Sequence, residues 1–547
     1  MTRILKYLLL LIGVPCFLVM QSCKESFLER PPISQVTTGN FYGSDEEVMA
    51  GTAPLYNIVW FDYNDKAFMA FGEARGGNLK SNDRTPYTHF SVSATDQGTL
   101  LPGYKSFYKI ISQSNIAMTS IKNSSGNVSE KIKKEALGEC HFMRGLSYYY
   151  LVSSWGAVPI IYNNVEQLND SLRRNTIEDV WHFIIREFKI AAEYLPETPY
   201  NEGRVTKYSA EGMLAKMYLT FAGYGKSKGN RDQNYLDSAR ILAKDVIYNS
   251  GKALDPSYAD LFTSESNNSS NVNPESLFSL LWMPFSEPWG VNNSFQAYVA
   301  YDPKVTNVGT GWGAAQGVSA SVVKYFVNHP KDSIRRKATC MFPSDYYPQL
   351  RQDKGGIHYD LTSDISHIKK YIIGSPEDNG GMGGNMTAYI NTYMLRMAEV
   401  YLIYAESILG NNPSTSDPEA LKYFNKVRER AGVPTKSSIT FQDIFQEKRV
   451  ETIMEGGAWN EILRWYYFAP QDAMDYVNNQ DRGPYTIDYV SGTDNPKQYD
   501  VQYNPEYYSF TSNSVYLPFP ESELIKAPGL EEAPVSFDFS KLPNILK

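Results

Sequence analysis

Apolar residues recur at helical spacing near both ends of the chain and lose that spacing in the middle. Leu137, Cys140, Met143, Leu146 and Tyr150 follow one another at steps of three and four, and Leu214, Met217, Tyr218 and Phe221 do likewise after Thr206, whose hydroxyl suits a helix N-cap. Toward the C-terminus Leu395, Ala398, Leu402, Ala405 and Leu409 form one stripe, and Ala420, Phe424, Val427 and Ala431 form the next. Each stripe predicts a helix with one face committed to a neighbour. Ala210, Ala215, Ala398 and Ala405 keep those faces small enough for close approach, as in antiparallel pairs of tetratricopeptide type, although no repeat of roughly 34 residues is visible by self-similarity.

Between about Gly251 and Met386 the pattern gives way to Gly, Pro, Asn, Ser and aromatics, broken by short β-like runs such as Leu277 to Trp282. The chain from Asn478 onward has the same character, with Ser514 to Phe519 as a short extended segment, and Ser264 to Pro274 and Gly374 to Asn385 read as long surface loops. The expected architecture is therefore mostly α, with a helical scaffold mainly over 40–250 and 390–470. A loop-rich irregular region with a few short strands covers about 251–390 and 478–547. No Pro/Gly/Ser linker separates independent halves, so residues 23–547 read as one domain with insertions.

The first residues are of another kind. Arg3 and Lys6 precede an apolar run from Leu8 to Met20 that ends at Gln21-Ser22-Cys23. The run is shorter than the roughly 20 residues of a membrane span, is positively led, and closes on small residues, so 1–22 reads as a secretory signal. A Cys directly after a small residue is where a bacterial lipoprotein is cut and acylated, which makes Cys23 the expected lipidated N-terminus. Acyl chains on that residue would hold a water-soluble domain against a membrane. Without Arg3 and Lys6 the 52 basic residues fall to 50, against 60 acidic ones and with no block of like charge, which speaks against a nucleic-acid partner. Cys140 and Cys340 are too few for a disulfide framework and read as buried thiols.

A large exported protein invites comparison with glycoside hydrolases, which work with paired carboxylates. Glu399 and Glu406 lie one heptad apart beside Arg396, where scaffold or surface ion pairs are the expected role. The histidines at 89, 141, 182, 329, 358 and 367 form no His-Glu-x-x-His arrangement, and neither a Gly-x-Ser-x-Gly elbow nor a phosphate-binding loop occurs. Gly309-Thr310-Gly311-Trp312-Gly313-Ala314 fits a dinucleotide pattern formally, but it lacks a βαβ context and places bulky Trp312 inside the turn. These absences speak against a metal-dependent hydrolase or a nucleotide enzyme, and the expectation is a non-enzyme without a cofactor, with a carboxylate-pair glycoside hydrolase as the less favoured alternative.

The more informative constellation is aromatic. Trp282, Trp289 and Trp312 share the irregular stretch with Tyr298 and Tyr301. A pyranose stacks its C–H face on such rings while its hydroxyls need amide and carboxylate partners at the rim. Asn292, Asn293, Gln296, Asp302 and Asn307 supply those groups nearby, and the early stretch Asn78, Asn82, Asp83, Arg84 and Tyr87 is the candidate for the opposite wall. Trp289 and Trp312, flanked by Pro and Gly, are the leading platform candidates, whereas Trp155, Trp181, Trp459 and Trp465 read as packing residues and Trp282 as core. Arg144, Arg396, Arg428 and Arg449 sit inside helical phrases and read as tethers between helices.

Eight phrases in order carry a resemblance to a known family. They run from Ser22-Cys23 with Phe27-Leu28-Glu29-Arg30-Pro31-Pro32, through Glu135 to Tyr149 with Trp155-Gly156-Ala157-Val158-Pro159, to Val205-Thr206-Lys207 and Lys331-Asp332-Ser333-Ile334-Arg335. Leu395 to Glu406, Asn425 to Gly432, and Glu447 to Glu451 with Glu455-Gly456-Gly457 follow, and Leu517-Pro518-Phe519-Pro520 closes the series. The chain resembles the SusD/RagB family of Bacteroidetes outer-membrane nutrient-binding lipoproteins over nearly its whole length. Gly457 departs from the family's usual basic or aromatic residue, with no functional consequence expected. The resemblance implies a SusD-like fold of tetratricopeptide-type helix pairs, a glycan ligand held by the irregular loops, a SusC-like TonB-dependent transporter as partner, and a lipid anchor on Cys23 facing the cell exterior. It leaves room for a structural calcium ion, which the acidic residues here, Asp302 among them, do not locate. The competing reading is a scaffold that binds a protein or peptide at the same transporter.

Overall fold

The computed structural model of the chain describes residues 42–124, 127–167, 172–270, 272–284, 291–307, 316–359, 365–384, 386–491 and 498–543. Cys23, Trp289 and Trp312 lie outside the described residues.

Helices of eight residues or more, numbered in chain order, are α1 Asp45–Thr52, α2 Leu100–Lys122, α3 Glu130–Trp155, α4 Ile177–Tyr194, α5 Lys207–Phe221, α6 Gln233–Asn249, α7 Ala320–Asn328, α8 Met397–Leu409, α9 Pro418–Arg430, α10 Phe441–Glu451, α11 Ala458–Phe468 and α12 Pro470–Asn478. The strands are β1 Leu79–Ser81, β2 Ser276–Leu280, β3 Gln316–Val318, β4 Asp345–Tyr347, β5 Ile357–Tyr359, β6 Thr392–Arg396, β7 Tyr485–Ser491 and β8 Gln498–Tyr503, and they pair only as two-stranded antiparallel ribbons.

From α2 to α6 each helix packs on the next, and α8 then packs on α6 and α9 on α8. The stack therefore runs across the long excursion between α6 and α8 as though the excursion were inserted into it. Thr206 caps α5 as its sequence suggests, accepting from Ser209 N while Ser209 returns a bond to the Thr206 backbone. α3 departs from the single-stripe expectation, because from Glu135 to Trp155 nearly every side chain is buried, polar ones included. A helix enclosed on all sides is covered by neighbours on each face, and α3 lies against α2, α4 and α1.

Buried charge binds these layers. Arg144 of α3 donates to Glu187 of α4 at 2.8 Å and to Asn115 of α2 at 2.7 Å. Glu399 and Glu406 of α8 are buried, with Lys216 of α5 on Glu399 at 2.7 Å and both Arg231 and Arg464 on Glu406. A larger cluster joins the excursion to the last helices. Arg335, Arg396, Arg428, Arg430 and Lys370 face Asp332, Glu275, Glu447, Glu451 and Glu455, five cations to five carboxylates. Arg449 reaches the other way, to Asn78 Oδ1 and Ser321 Oγ, both at 2.8 Å.

The helical tryptophans Trp155, Trp181, Trp459 and Trp465 are buried, and Trp282 is fully enclosed with its Nε1 donating to Thr392 Oγ1 at 3.0 Å. Cys140 and Cys340 are buried free thiols. Ser514 to Phe519 joins no ladder; it docks through Leu517 N on Ser154 O at the end of α3.

Candidate functional site

The candidate site is framed by two strands drawn from distant parts of the sequence. β1 pairs with β3 in the register Leu79↔Val318, Lys80↔Gly317 and Ser81↔Gln316. Asn82, Asp83 and Arg84 therefore begin beside the point where the stretch 308–315, with Trp312, rejoins the described chain. Ser81 Oγ accepts from Asp83 N and Arg84 N, both at 3.2 Å, and the turn leaves Asn82 and Asp83 exposed and Arg84 half-buried. Gly317 permits the close approach beneath: a Cβ there would lie 2.5 Å from Ser366 O.

The second wall is the segment 291–307, carried by two short helical turns, Phe295–Val299 and Pro303–Thr306. Met283 N donates to Val291 O at 2.7 Å, which ties together the ends of the excursion containing Trp289. Asn293 then pins the segment, since its backbone N donates to Ala388 O at 2.8 Å and its Nδ2 to Ile390 O at 2.9 Å. Gln296 uses its whole amide: Nε2 donates to Gly374 O and Gly383 O, and Oε1 accepts from Ile373 N and Gly374 N. Ser294 N donates to Asp65 Oδ2 at 2.9 Å, and Asn64 Nδ2 to Asp65 Oδ1 at 2.7 Å. Burial pushes the Asp65 carboxyl up to about 7 even though those donors favour its anion.

Tyr298 and Tyr301 stand half-buried on this support. Burial raises the Tyr298 phenol, with Asp65 and Arg84 as its charged neighbours, so the early stretch and the segment do face each other. The Tyr301 ring lies 5.0 Å from that of His367 and 5.2 Å, edge to face, from that of Tyr359. Asp302 is a cap, its Oδ1 accepting from Lys304 N at 2.7 Å, and Asn307 takes the left-handed conformation that ends the turn.

The candidates thus divide. Asn82, Asp83, Arg84, Tyr298 and Tyr301 stand at or near the surface of one face. Asn78, Tyr87, Asn292, Asn293 and Gln296 are buried beneath them. Asn78 is spent between Glu73 and Arg449, and Tyr87 donates to Asp96 at 2.7 Å. The physical role of Asn78, Tyr87, Asn293 and Gln296 is to hold the walls. Trp289 and Trp312 belong to stretches whose described ends border this face, and they themselves lie outside the described residues.

Asp65 and the Met283–Val291 bond were not foreseen. Asp65 sits in an irregular helical segment, Tyr63–Ala67, that carries no periodic signal, and a single backbone bond leaves no trace in composition. Among the described residues no group of three or more His, Cys, Asp or Glu side chains has the geometry to hold a metal ion. The face offers aromatic rings, exposed amide and carboxylate groups, a half-buried guanidinium and a hydrogen-bonded floor, which is the equipment of a binding surface.

Residues 49–219 match the family described as "Starch-binding associating with outer membrane", and residues 344–535 match the SusD family. A SusD-like protein of Bacteroides ovatus is 37% identical over 552 aligned residues that cover 97% of this chain and 98% of that one. A crystal structure with xylogluco-oligosaccharide is 34% identical, with a TM-score of 0.82 over 90% of this chain and 99% of the other. A laminarin-binding SusD-like protein, 19% identical with a TM-score of 0.66 over 89% of this chain and 98% of its own, shares the fold.

Proposed function

Because the chain belongs to the SusD family, we propose that it is a glycan-capture protein of the outer membrane surface, anchored by lipid on Cys23, which passes oligosaccharide to a SusC-like TonB-dependent transporter. The observation that carries the reading is the relative crystallised with xylogluco-oligosaccharide, which matches this chain over 90% of its length at 34% identity. The face between Asn82–Arg84 and the segment 291–307 supplies what such a ligand needs. Half-buried tyrosines offer C–H stacking, polar side chains stand at the rim, and the amides beneath are already satisfied, so little ordering entropy is lost on binding. Trp289 and Trp312 complete this proposal as the principal stacking platforms.

The role is capture and not cleavage. Asp302 is committed to a helix cap and Asp65 to the Ser294 backbone, and the partners of Glu399 and Glu406 are scaffold cations. Affinity electrophoresis of the soluble protein lacking the lipid anchor, against xyloglucan, laminarin, starch and a wider polysaccharide panel, tests the reading. Retardation by at least one polysaccharide with no release of reducing ends is expected. Failure to bind any member of the panel, or release of reducing ends, would overturn it.

A further inference from the structure

A cavity lies on other elements. It measures about 790 Å³ and opens between the turn around Asp260–Ser266, the short helix Ser333–Thr339 and β4. Its rim carries the hydroxyls of Thr263, Ser266 and Ser333 and the amide of Gln349, with Asp260, Glu265 and Lys337 at the exposed mouth. Inside, Arg336 is paired with Asp345, and Tyr347 stands beside them.

Lys369 breaks the balance of this lining. It is 5% exposed, and among the described residues its Nζ makes one hydrogen bond, to Ile372 O at 3.2 Å, with no carboxylate within ion-pair distance. Its sequence neighbour Lys370 shows the usual solution, with Glu455 at 2.9 Å and Ile453 O at 2.7 Å. An ammonium has three donors, and a buried one without a counter-charge is costly unless something supplies the missing anion. Burial pushes the Lys369 amine down to about 8, which leaves it protonated at neutral pH.

We propose that this cavity is a second ligand site, in which Lys369 receives the oxyanion of a carboxylated or sulfated sugar while the hydroxyl and amide rim takes the sugar's own hydroxyls. The volume suits a ligand of one or two rings. The site shares no lining residue with the face described above, so it stands or falls independently of neutral-glycan capture.

Calorimetric titration of the soluble protein at pH 7 with sodium glucuronate, galactose 6-sulfate and glucose tests it. One or both acidic sugars should bind, and glucose at least roughly tenfold more weakly, since it leaves the ammonium uncompensated. Lys369→Met should weaken acidic-sugar binding by roughly tenfold or more, and Lys369→Arg should keep it within about threefold, because the cation is what counts. Gln349→Trp, at an exposed rim position, closes the mouth without touching Lys369 and decides the matter should Lys369→Met fail to fold. Glucose binding as tightly as glucuronate, no binding by either acidic sugar, or parent-like affinity in Lys369→Met or Gln349→Trp would overturn the assignment.

Discussion

Glu451→Gln places a neutral amide where three guanidinium groups converge. Glu451 is fully buried; its Oε1 accepts from Arg396 at 2.6 Å and from Arg430, and its Oε2 from Arg335 at 3.3 Å. Burial alone would raise this carboxyl, yet Arg430, Arg396 and Arg335 together bring it down to about 2. Measured from an ordinary glutamate near 4.3, that displacement corresponds to about 3 kcal/mol of stability. Mutational experience with buried pairs gives a similar figure, about 3–5 kcal/mol for removing one partner, because the remaining charges stay buried. The cluster has five cations and five carboxylates, so the variant leaves one positive charge unmatched.

With an unfolding entropy of roughly 2 cal/mol/K per residue over about 500 residues, each kcal/mol moves the melting temperature by about 1 °C. Glu451→Gln should therefore melt about 3–5 °C below the parent at pH 7 by scanning calorimetry. Asp62→Asn, which breaks the exposed pair with Lys66, should cost less than about 1 kcal/mol and move it by under about 1 °C. The pH dependence has a definite sign. A carboxyl depressed on folding contributes stability that is complete above its unfolded value near 4.3 and is lost as pH falls through about 2. The gap between variant and parent should hold from pH 7 to about 5 and close progressively between about 4.3 and 2. A variant that melts with the parent at pH 7, or a gap that widens in acid, would refute the reasoning.

Three further outcomes follow from the same packing. Gln296→Leu removes both acceptor and donor from the clamp on Ile373, Gly374 and Gly383; it should cost about 2–4 kcal/mol in thermal melts and weaken glycan retention, since buried N–H groups are left unpaired. Gly317→Ala drives a Cβ to 2.0 Å from Ile365 Cγ2 and 2.5 Å from Ser366 O, so β3 must shift; proteolysis after Ser81 should accelerate and glycan affinity should fall. Cys140 and Cys340 are buried, and burial pushes the Cys340 thiol up to about 12, so a thiol reagent should label neither in the native soluble protein and both in denaturant.

The helices were legible because each commits apolar residues at a fixed period, and Thr206 announced its cap by chemistry alone. The arginine tethers were legible for a related reason: Arg144, Arg396 and Arg449 interrupt apolar phrases, and a charge there needs a partner. The site was legible by region and less so by residue. Composition places Asn78, Gln296 and Asn293 among sugar-binding types, and the same amides are equally good structural clamps; only the fold reveals that backbone groups of residues 373–390 use Gln296 and Asn293, and that the Glu73 and Arg449 side chains use Asn78. Nothing local in the sequence says that β1 will meet β3 across more than two hundred residues, and that pairing is what sets Asn82–Arg84 against the later segment. Lys369 and Lys370 look alike in sequence, and the fold brings Glu455 to Lys370 alone of the two.

The most direct test of the account is affinity electrophoresis of the soluble protein in a gel containing the polysaccharide that retains it, with Trp289→Ala, Trp312→Ala and the double variant beside the parent. The account predicts that the parent is retarded, that each single substitution weakens retention, and that the double variant migrates as in a blank gel while its melting temperature stays with the parent's. Undiminished retention of the double variant would contradict the placement of the glycan on this face.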